Sequence, residues 1–142
     1  MTHPKKILYI DNDDFQTEMR AQLLMDTRHH QVDIADSFDH VKELYKKNKY
    51  DIVIIDFERD FGAEGLNYID GIDPMQKMIT ISENEEYSEQ KGCDYCVAHH
   101  QRRRLVPPFP FPELVHLVES FEMTICGQKN KFEQTASADS SR

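Results

Sequence analysis

Short apolar runs recur along the chain, and each is followed by a polar or amphipathic stretch. The most informative run covers residues 52–55, with the sequence Ile-Val-Ile-Ile between Asp51 and Asp56. Four consecutive aliphatic residues are typical of a strand that is buried on both faces, as in a parallel sheet. The central strand is predicted over residues 51–56. Further strands are predicted over residues 5–10, 78–82 and 103–106, and a short alternating strand over residues 31–35.

Helical periodicity fills the intervals in the first half of the chain. Phe15, Met19, Gln22 and Leu23 recur at a helical spacing and mark the turns of a first helix. A second helix is predicted after residues 36–37, where Asp36 or Ser37 can cap it. Apolar positions at helical spacing predict its buried face: Phe38, Val41, Leu44 and Tyr45.

The second half gives a weaker helical signal. The chain is loop-like through Gly62 and Gly65 and only weakly helical around residues 66–69. The polar stretch 83–100 is predicted to be helical in part. Pro112 suits the first position of a final helix.

Strands that alternate with helices predict an α/β fold with a doubly wound, five-stranded parallel sheet. The expected architecture is a flavodoxin-like (β/α)5 three-layer sandwich. Residues 1–124 form one domain in this interpretation, and residues 125–142, which have little to bury, form a disordered tail. Right-handed crossovers bring the carboxyl ends of all strands to one edge of the sheet.

Composition narrows the functional classes. The 142 residues include 17 basic and 26 acidic side chains, which give a net charge of −9 and disfavour nucleic acid as a partner. The run Arg102-Arg103-Arg104 is the local exception, interpreted as a solvated charge that protects a sheet edge. No apolar run is long enough to span a membrane, and no signal-peptide region is visible, so a cytoplasmic protein without a membrane segment is expected.

Acidic and hydroxyl side chains follow three of the predicted strands. Asp11, Asp13 and Asp14 come after the first strand, Asp56 ends the central strand, and Ser82 follows the fourth. Carboxylates gathered at one edge repel each other unless a cation compensates them, and oxygen ligands of this kind suit Mg²⁺. A carboxylate beside such an ion can accept a phosphoryl group. The simpler interpretation is that Asp56 only caps a loop or helix.

The order of these features resembles the receiver domain of two-component response regulators from Lys5 to about Phe121. The resemblance implies that Asp56 is the phosphoacceptor and that Asp11 begins the acidic pair. It also implies that Ser82 is the switch hydroxyl and that the carbonyl of Glu58 is a Mg²⁺ ligand.

Several positions depart from the pattern of that family. The second acidic residue is replaced by Asn12, which weakens the expected metal affinity unless Asp13 substitutes for it. Pro107 stands at the position of the family's lysine, so the cation that pairs with the phosphoryl group is missing there. Arg104 occupies the position of the aromatic switch residue. A substitute cation would have to come from elsewhere in the fold, and the candidates are Arg102, Arg103, Arg104 and His99.

The resemblance implies a single-domain, non-enzymatic response regulator in a phosphorelay. It would accept a phosphoryl group on Asp56 from a histidine kinase or phosphotransfer protein and signal by contact with a downstream protein, without a DNA-binding domain. The alternative is a pseudo-receiver, a binding module that works without phosphorylation. A haloacid-dehalogenase-like phosphatase would match Asp11-Asn12-Asp13, but it also needs a lysine and a later acidic pair that the sequence does not place.

A second cluster combines soft metal ligands. Cys93, Cys96, His99 and His100 have a spacing that suits Zn²⁺ on one face of a helix. The interpretation favoured from the spacing alone is a pair of ordinary thiols beside a solvated histidine pair, because no second ligand pair is present. His29 and His30 are interpreted as a polar helix end.

Overall fold

The computed structural model describes residues 3–11, 14–57, 61–82 and 101–121. Within them the chain forms five strands and four helices. The elements in chain order are β1 (Lys6–Ile10), α1 (Asp14–Arg28), β2 (Gln31–Ala35), α2 (Phe38–Lys47), β3 (Ile52–Asp56), α3 (Gly62–Ile72), β4 (Met78–Ile81), β5 (Arg102–Leu105) and α4 (Phe111–Glu119).

All strands are parallel and lie in the order β2-β1-β3-β4-β5, as expected for the doubly wound α/β fold. β3 is central, and each of its five residues is buried. Residues 52–55 are all apolar because helices cover both faces of the sheet, as the sequence predicted.

Two apolar cores lie on the two faces of the sheet. One contains the inward side chains of α1 and α4, with Leu24, Leu117 and Phe121 among its buried members. The other contains those of α2 and α3, including Val41 and Ile69. Alternate residues of the strands contribute to the two cores, as the two-residue period of a strand requires. In the described part of the chain, no helix is long and apolar enough to cross a membrane.

The apolar residues that indicate α1 in the sequence do not form its buried face. Phe15 is 79% exposed and Met19 is 46% exposed, whereas Thr17, Ala21 and Leu24 are buried. The buried positions keep the helical spacing but are shifted around the helix axis. Hydropathy detected the helix correctly, but it did not identify the face that meets the sheet.

The predictions for α2 and for the region after β3 had different outcomes. Ser37 caps α2, since its Oγ accepts a hydrogen bond from the backbone N–H of His40 at 3.1 Å. After β3, however, α3 begins at Gly62 and contains Gly65, where a loop was predicted. Its inward residue Ile69 packs in the second core, and this tertiary contact outweighs the weak helix propensity of the glycines.

The interpretation of the arginine run as solvated charge was also wrong. Arg102 is 2% exposed, and its guanidinium donates to the backbone carbonyls of Pro74 and Gln76. It also forms an ion pair with Asp70 at 2.8 Å. Arg103 is buried as well and lies over the ring of Phe121 at 4.2 Å. Buried guanidinium groups are stable when carbonyls and a carboxylate satisfy their donors.

His30 is likewise buried rather than part of a polar helix end. Its Nδ1 accepts the backbone N–H of Lys5 at 3.0 Å, so the proton of the neutral ring lies on Nε2, 2.9 Å from a carboxylate oxygen of Glu119. Arg28 binds the same carboxylate, and together Arg28 and His30 hold the pKa of Glu119 below its usual value. This contact joins the end of α4 to the connection between α1 and β2.

The buried position of Arg102 predicts a large effect on stability. Arg102→Met should lower the free energy of unfolding by about 3 kcal/mol, because buried carbonyl oxygens lose their donor. Arg104→Met is the matched control on the same strand, since the Nη1 of Arg104 has no hydrogen-bond partner within the part of the chain that the structure describes. Its effect should stay below about 1 kcal/mol in urea denaturation. Equal losses for the two variants would contradict the assignment.

Candidate functional site at the carboxyl edge of the sheet

Asp11 and Asp56 lie next to each other at the carboxyl edge of the sheet. β1 and β3 are paired with Ile10 opposite Ile55, so the following residues, Asp11 and Asp56, occupy neighbouring positions. Both side chains are almost fully buried, Asp11 at 1% exposure and Asp56 at 6%. The chain thus places two carboxylates of the predicted site side by side, in an environment where uncompensated negative charge is costly.

Ser82 reaches the same edge on the other side of β3. Asp56 pairs with Ile81, and the next residues continue the ladder, because the N–H of Phe57 donates to the carbonyl of Ile81 at 2.8 Å. The N–H of Ser82 donates to the carbonyl of Leu105 at 3.1 Å. Ser82 is therefore anchored at the end of β4, one strand from Asp56, and its role as a switch hydroxyl stays a prediction.

The segment after β3 folds tightly back onto the strand. A Cβ atom on Gly62 would lie 2.5 Å from the backbone oxygen of Asp56 and 3.0 Å from the Cα of Phe57. Only glycine allows α3 to begin this close to the phosphoacceptor candidate. The first residue of α3 therefore lies directly against the backbone of Asp56 and Phe57.

A second group of side chains lies on the α1 face of the edge. Arg20 of α1 donates from Nη1 to the hydroxyl oxygen of Tyr9 at 3.0 Å. Its guanidinium also covers the ring of Phe109, with 4.5 Å between the central carbon and the ring centroid. Phe109 belongs to the segment that follows β5, at the same edge as Asp11 and Asp56.

The electrostatics of Tyr9 reflect this position. Burial raises the pKa of its hydroxyl to about 12, and the negative charges of Asp11 and Asp56 act in the same direction. Arg20 opposes the increase by its positive charge and its hydrogen bond. Tyr9 is therefore a neutral hydroxyl group at physiological pH, situated in the field of both carboxylates and of one arginine.

The switch and lysine positions are described in part. Arg104 is half-buried, and Pro107 lies in the segment between β5 and α4, where its peptide bond to Pro108 is cis. The backbone pairing of β4 and β5 sets Arg104 opposite Thr80, two residues before Ser82. Arg102 binds Asp70, and Arg103 donates to the carbonyl of Phe121, both away from this edge. Neither arginine therefore replaces the lysine that is missing at Pro107.

Several proposed ligands lie outside the described residues: Asn12, Asp13, Glu58, Cys93, Cys96, His99 and His100, together with the tail 125–142. Among the residues that are described, no group of three or more His, Cys, Asp or Glu side chains is arranged to hold a metal ion. The described carboxylates Asp11 and Asp56 therefore account for only part of the magnesium site that the sequence predicts.

Sequence reasoning missed Tyr9 and Arg20. Tyr9 was counted only as part of an apolar strand, and Arg20 carries no motif. The sequence did contain a sign of Tyr9, because side chains two residues apart on a strand lie on the same face, which places Tyr9 on the face of Asp11. The contact between Arg20 and Phe109, however, joins positions 89 residues apart and depends on tertiary packing (109 − 20 = 89).

Solved structures of response-regulator proteins have a similar fold to this chain. The chemotaxis protein CheY4 of Vibrio cholerae matches with a TM-score of 0.70 and 18% identity, over 83% of this chain and 98% of that one. A CheY-like response regulator receiver domain protein from Methanospirillum hungatei JF-1 matches with a TM-score of 0.69 and 16% identity, over 85% and 95%. The chain has the fold of response-regulator receiver domains.

A longer protein also contains this fold. NtrX from Brucella abortus, solved with ADP, matches with a TM-score of 0.68 and 18% identity over 85% of this chain, which spans only 26% of that protein. No protein-family model matches the sequence. No curated protein matches it either. These comparisons establish the fold, and the function is inferred from the site.

The close approach at Gly62 gives a second prediction. Gly62→Ala should lower the free energy of unfolding by about 1–3 kcal/mol, because the added methyl group meets backbone atoms that cannot rotate away. Gly71→Ala is the control in the same helix, where a Cβ meets nothing within 4 Å. That variant should raise stability by up to about 1 kcal/mol. Thermal or urea unfolding measures both, and a loss at Gly71 equal to that at Gly62 would refute the steric explanation.

Proposed function

We propose that the protein is a signalling receiver that accepts a phosphoryl group on Asp56. The observation that carries the proposal is the position of Asp56: a buried carboxylate at the end of the central strand, beside Asp11 and one strand from Ser82. In open α/β sheets, ligands bind at the carboxyl ends of the strands. The receiver fold supports the proposal that the carboxyl edge of this sheet is the phosphorylation site.

The proposed reaction is phosphoryl transfer from a phosphohistidine of a histidine kinase or phosphotransfer protein. An oxygen of the Asp56 carboxylate attacks phosphorus, a P–O bond forms, and the P–N bond to histidine breaks. The departing imidazole nitrogen takes a proton from solvent. The product is an acyl phosphate on Asp56. Signalling then follows from contact of the altered edge with a downstream protein.

Magnesium fits the part of the site that the structure describes. Two buried carboxylates at neighbouring strand ends match the one or two carboxylates that Mg²⁺ takes in phosphoryl-transfer sites. Asp11 and Asp56 would hold the ion, and Asn12 or Asp13 and the carbonyl of Glu58 are the further proposed ligands. When bound, Mg²⁺ offsets the negative charge of the carboxylates and of the phosphoryl oxygens.

A pseudo-receiver is the second candidate function. Pro107 favours it, because proline supplies neither positive charge nor a backbone donor where the family places a lysine. Such a module binds its partner in one state and does not need the acyl phosphate. In both proposals the domain is a signalling module rather than an enzyme.

Phosphorylation of Asp56 can be tested by intact mass. After incubation with acetyl phosphate and Mg²⁺, the wild-type protein should gain one phosphoryl group, and Asp56→Asn should gain none. Asp51→Asn is the control at the opposite end of the same strand, where the carboxylate accepts the N–H of Lys6 at 2.8 Å. It should be phosphorylated like the wild type. An unmodified wild-type protein would favour the pseudo-receiver, and a modified Asp56→Asn would place the phosphoryl group elsewhere.

Metal affinity offers a separate test. Asn12→Asp adds one carboxylate to the proposed site and should tighten Mg²⁺ binding by about tenfold, the effect of one additional partly solvated charge contact. Asp11→Asn should weaken binding by a similar factor. NMR shifts of residues near Asp11 during a Mg²⁺ titration measure both affinities. An unchanged affinity in Asn12→Asp would indicate that Asp13 already faces the metal.

A further inference from the structure

An acyl phosphate on Asp56 needs a positive charge that Pro107 does not supply. The site would hold the carboxylate of Asp11 and the phosphoryl oxygens together in a buried environment, where like charges repel strongly. Arg102 and Arg103 are committed to backbone carbonyls and packing contacts elsewhere. Within the part of the chain that the structure describes, the cation must therefore come from another element of the fold.

Arg20 reaches the carboxyl edge from α1. This helix begins at Asp14, three residues after Asp11, so its N-terminus lies at that edge. Helical side chains tilt toward the helix N-terminus, and the long side chain of Arg20 therefore extends toward the carboxylates. Its guanidinium rests on the ring of Phe109, which belongs to the segment after β5 at the same edge.

Tyr9 connects this guanidinium to the strand ends. It pairs with Ile54 across β1 and β3, and Asp56 follows Ile54 by two residues, about 7 Å along the strand and on the same face. The hydroxyl oxygen of Tyr9 accepts the hydrogen bond from Arg20. Within the described residues the structure records no acceptor for the hydroxyl proton, so it can be donated to a new oxygen.

We propose that Arg20 is the cation that compensates the phosphoryl group on Asp56, and that Tyr9 and Phe109 are the positioning residues that hold it. The proposal rests on the proposed phosphoacceptor function and identifies how this chain balances charge without a lysine. Pro107, Pro108 and Phe109 follow one another in the sequence. The segment that lacks the lysine therefore supplies the aromatic ring on which the substitute cation lies.

Arg104 is a weaker candidate for the same role. It is on β5 opposite Thr80, and Thr80 is separated from Asp56 by the width of a strand and by one register position. Its strand neighbours Arg103 and Leu105 point to the core that contains α1 and α4, so Arg104 lies on the other face of the sheet by alternation. Asp56 and Ile54 belong to the α1 face by the same alternation.

The proposed position of the charge predicts two effects of opposite sign in this protein. Arg20→Gln should slow phosphorylation of Asp56 by acetyl phosphate about tenfold, because one compensating charge is lost. The same variant should bind Mg²⁺ alone about threefold more tightly, because a cation that repels the metal has been removed. A loss of folding would weaken both reactions, so the opposite signs separate charge placement from a structural role.

Further variants separate the charge of Arg20 from its position. Arg20→Lys keeps the charge and should retain most of the wild-type rate. Tyr9→Phe and Phe109→Leu keep the charge but loosen its position, and each should slow phosphorylation about threefold, a cost of order 0.7 kcal/mol. Arg28→Gln is the control for the loss of an arginine, and Tyr50→Phe is the control for the loss of a tyrosine hydroxyl that binds Asp33. Both controls should leave the rate and the Mg²⁺ affinity unchanged.

Each result has a definite meaning. A wild-type rate in Arg20→Gln, or weaker Mg²⁺ binding in that variant, would overturn the assignment of Arg20. Recovery of the rate when Pro107→Lys is added to Arg20→Gln would support it, because a lysine then restores the charge from the other side. If the wild-type protein accepts no phosphoryl group while Arg20→Gln still tightens Mg²⁺ binding, the proposed function fails but the position of the charge is upheld.

Discussion

Burial of negative charge at the end of the central strand is the constraint on which the candidate site depends. Helices cover β3 on both faces, and the chain nevertheless ends this strand in a carboxylate beside a second one. Such an arrangement is stable only where positive charge or hydrogen-bond donors compensate it. Near this site the structure places a hydroxyl and a positive charge, since the Nη1 of Arg20 donates to the hydroxyl of Tyr9 on the neighbouring strand.

The sheet and the order of its elements could be predicted because they depend on local patterns. The buried run of β3, the cap at Ser37 and the polar residues at the strand ends are all properties of a few consecutive residues. The buried face of α1 could not be predicted in the same way, because Phe15 and Met19 are apolar and yet face solvent. The direction that a helix presents to a sheet is set by the other elements packed around it, and the periodicity of one segment does not contain that information.

The three arginines at 102–104 and the arginine at position 20 illustrate why the site was harder to predict than the fold. A charge run suggests solvent exposure, but Arg102 is one of the most buried residues because distant carbonyls and Asp70 satisfy its donors. Arg20 has no neighbouring motif, but it meets Tyr9 and Phe109, which come from a strand and from a segment far along the chain. Electrostatic roles are assigned by tertiary neighbours, and a sequence shows only the charges available.

In the proposal made above, Arg20 supplies a positive charge near Asp56 although Pro107 supplies none. A cation is effective through its distance and its solvation, so the element that carries it is not fixed. On α1, a guanidinium that lies on an aromatic ring is partly shielded from water, which strengthens its interaction with nearby anions and limits its freedom of movement. Its position depends on the hydroxyl of Tyr9, which lies on β1, two residues before Asp11 and on the strand next to that of Asp56. Through Tyr9 and Phe109, the same guanidinium contacts both β1 and the segment between β5 and α4.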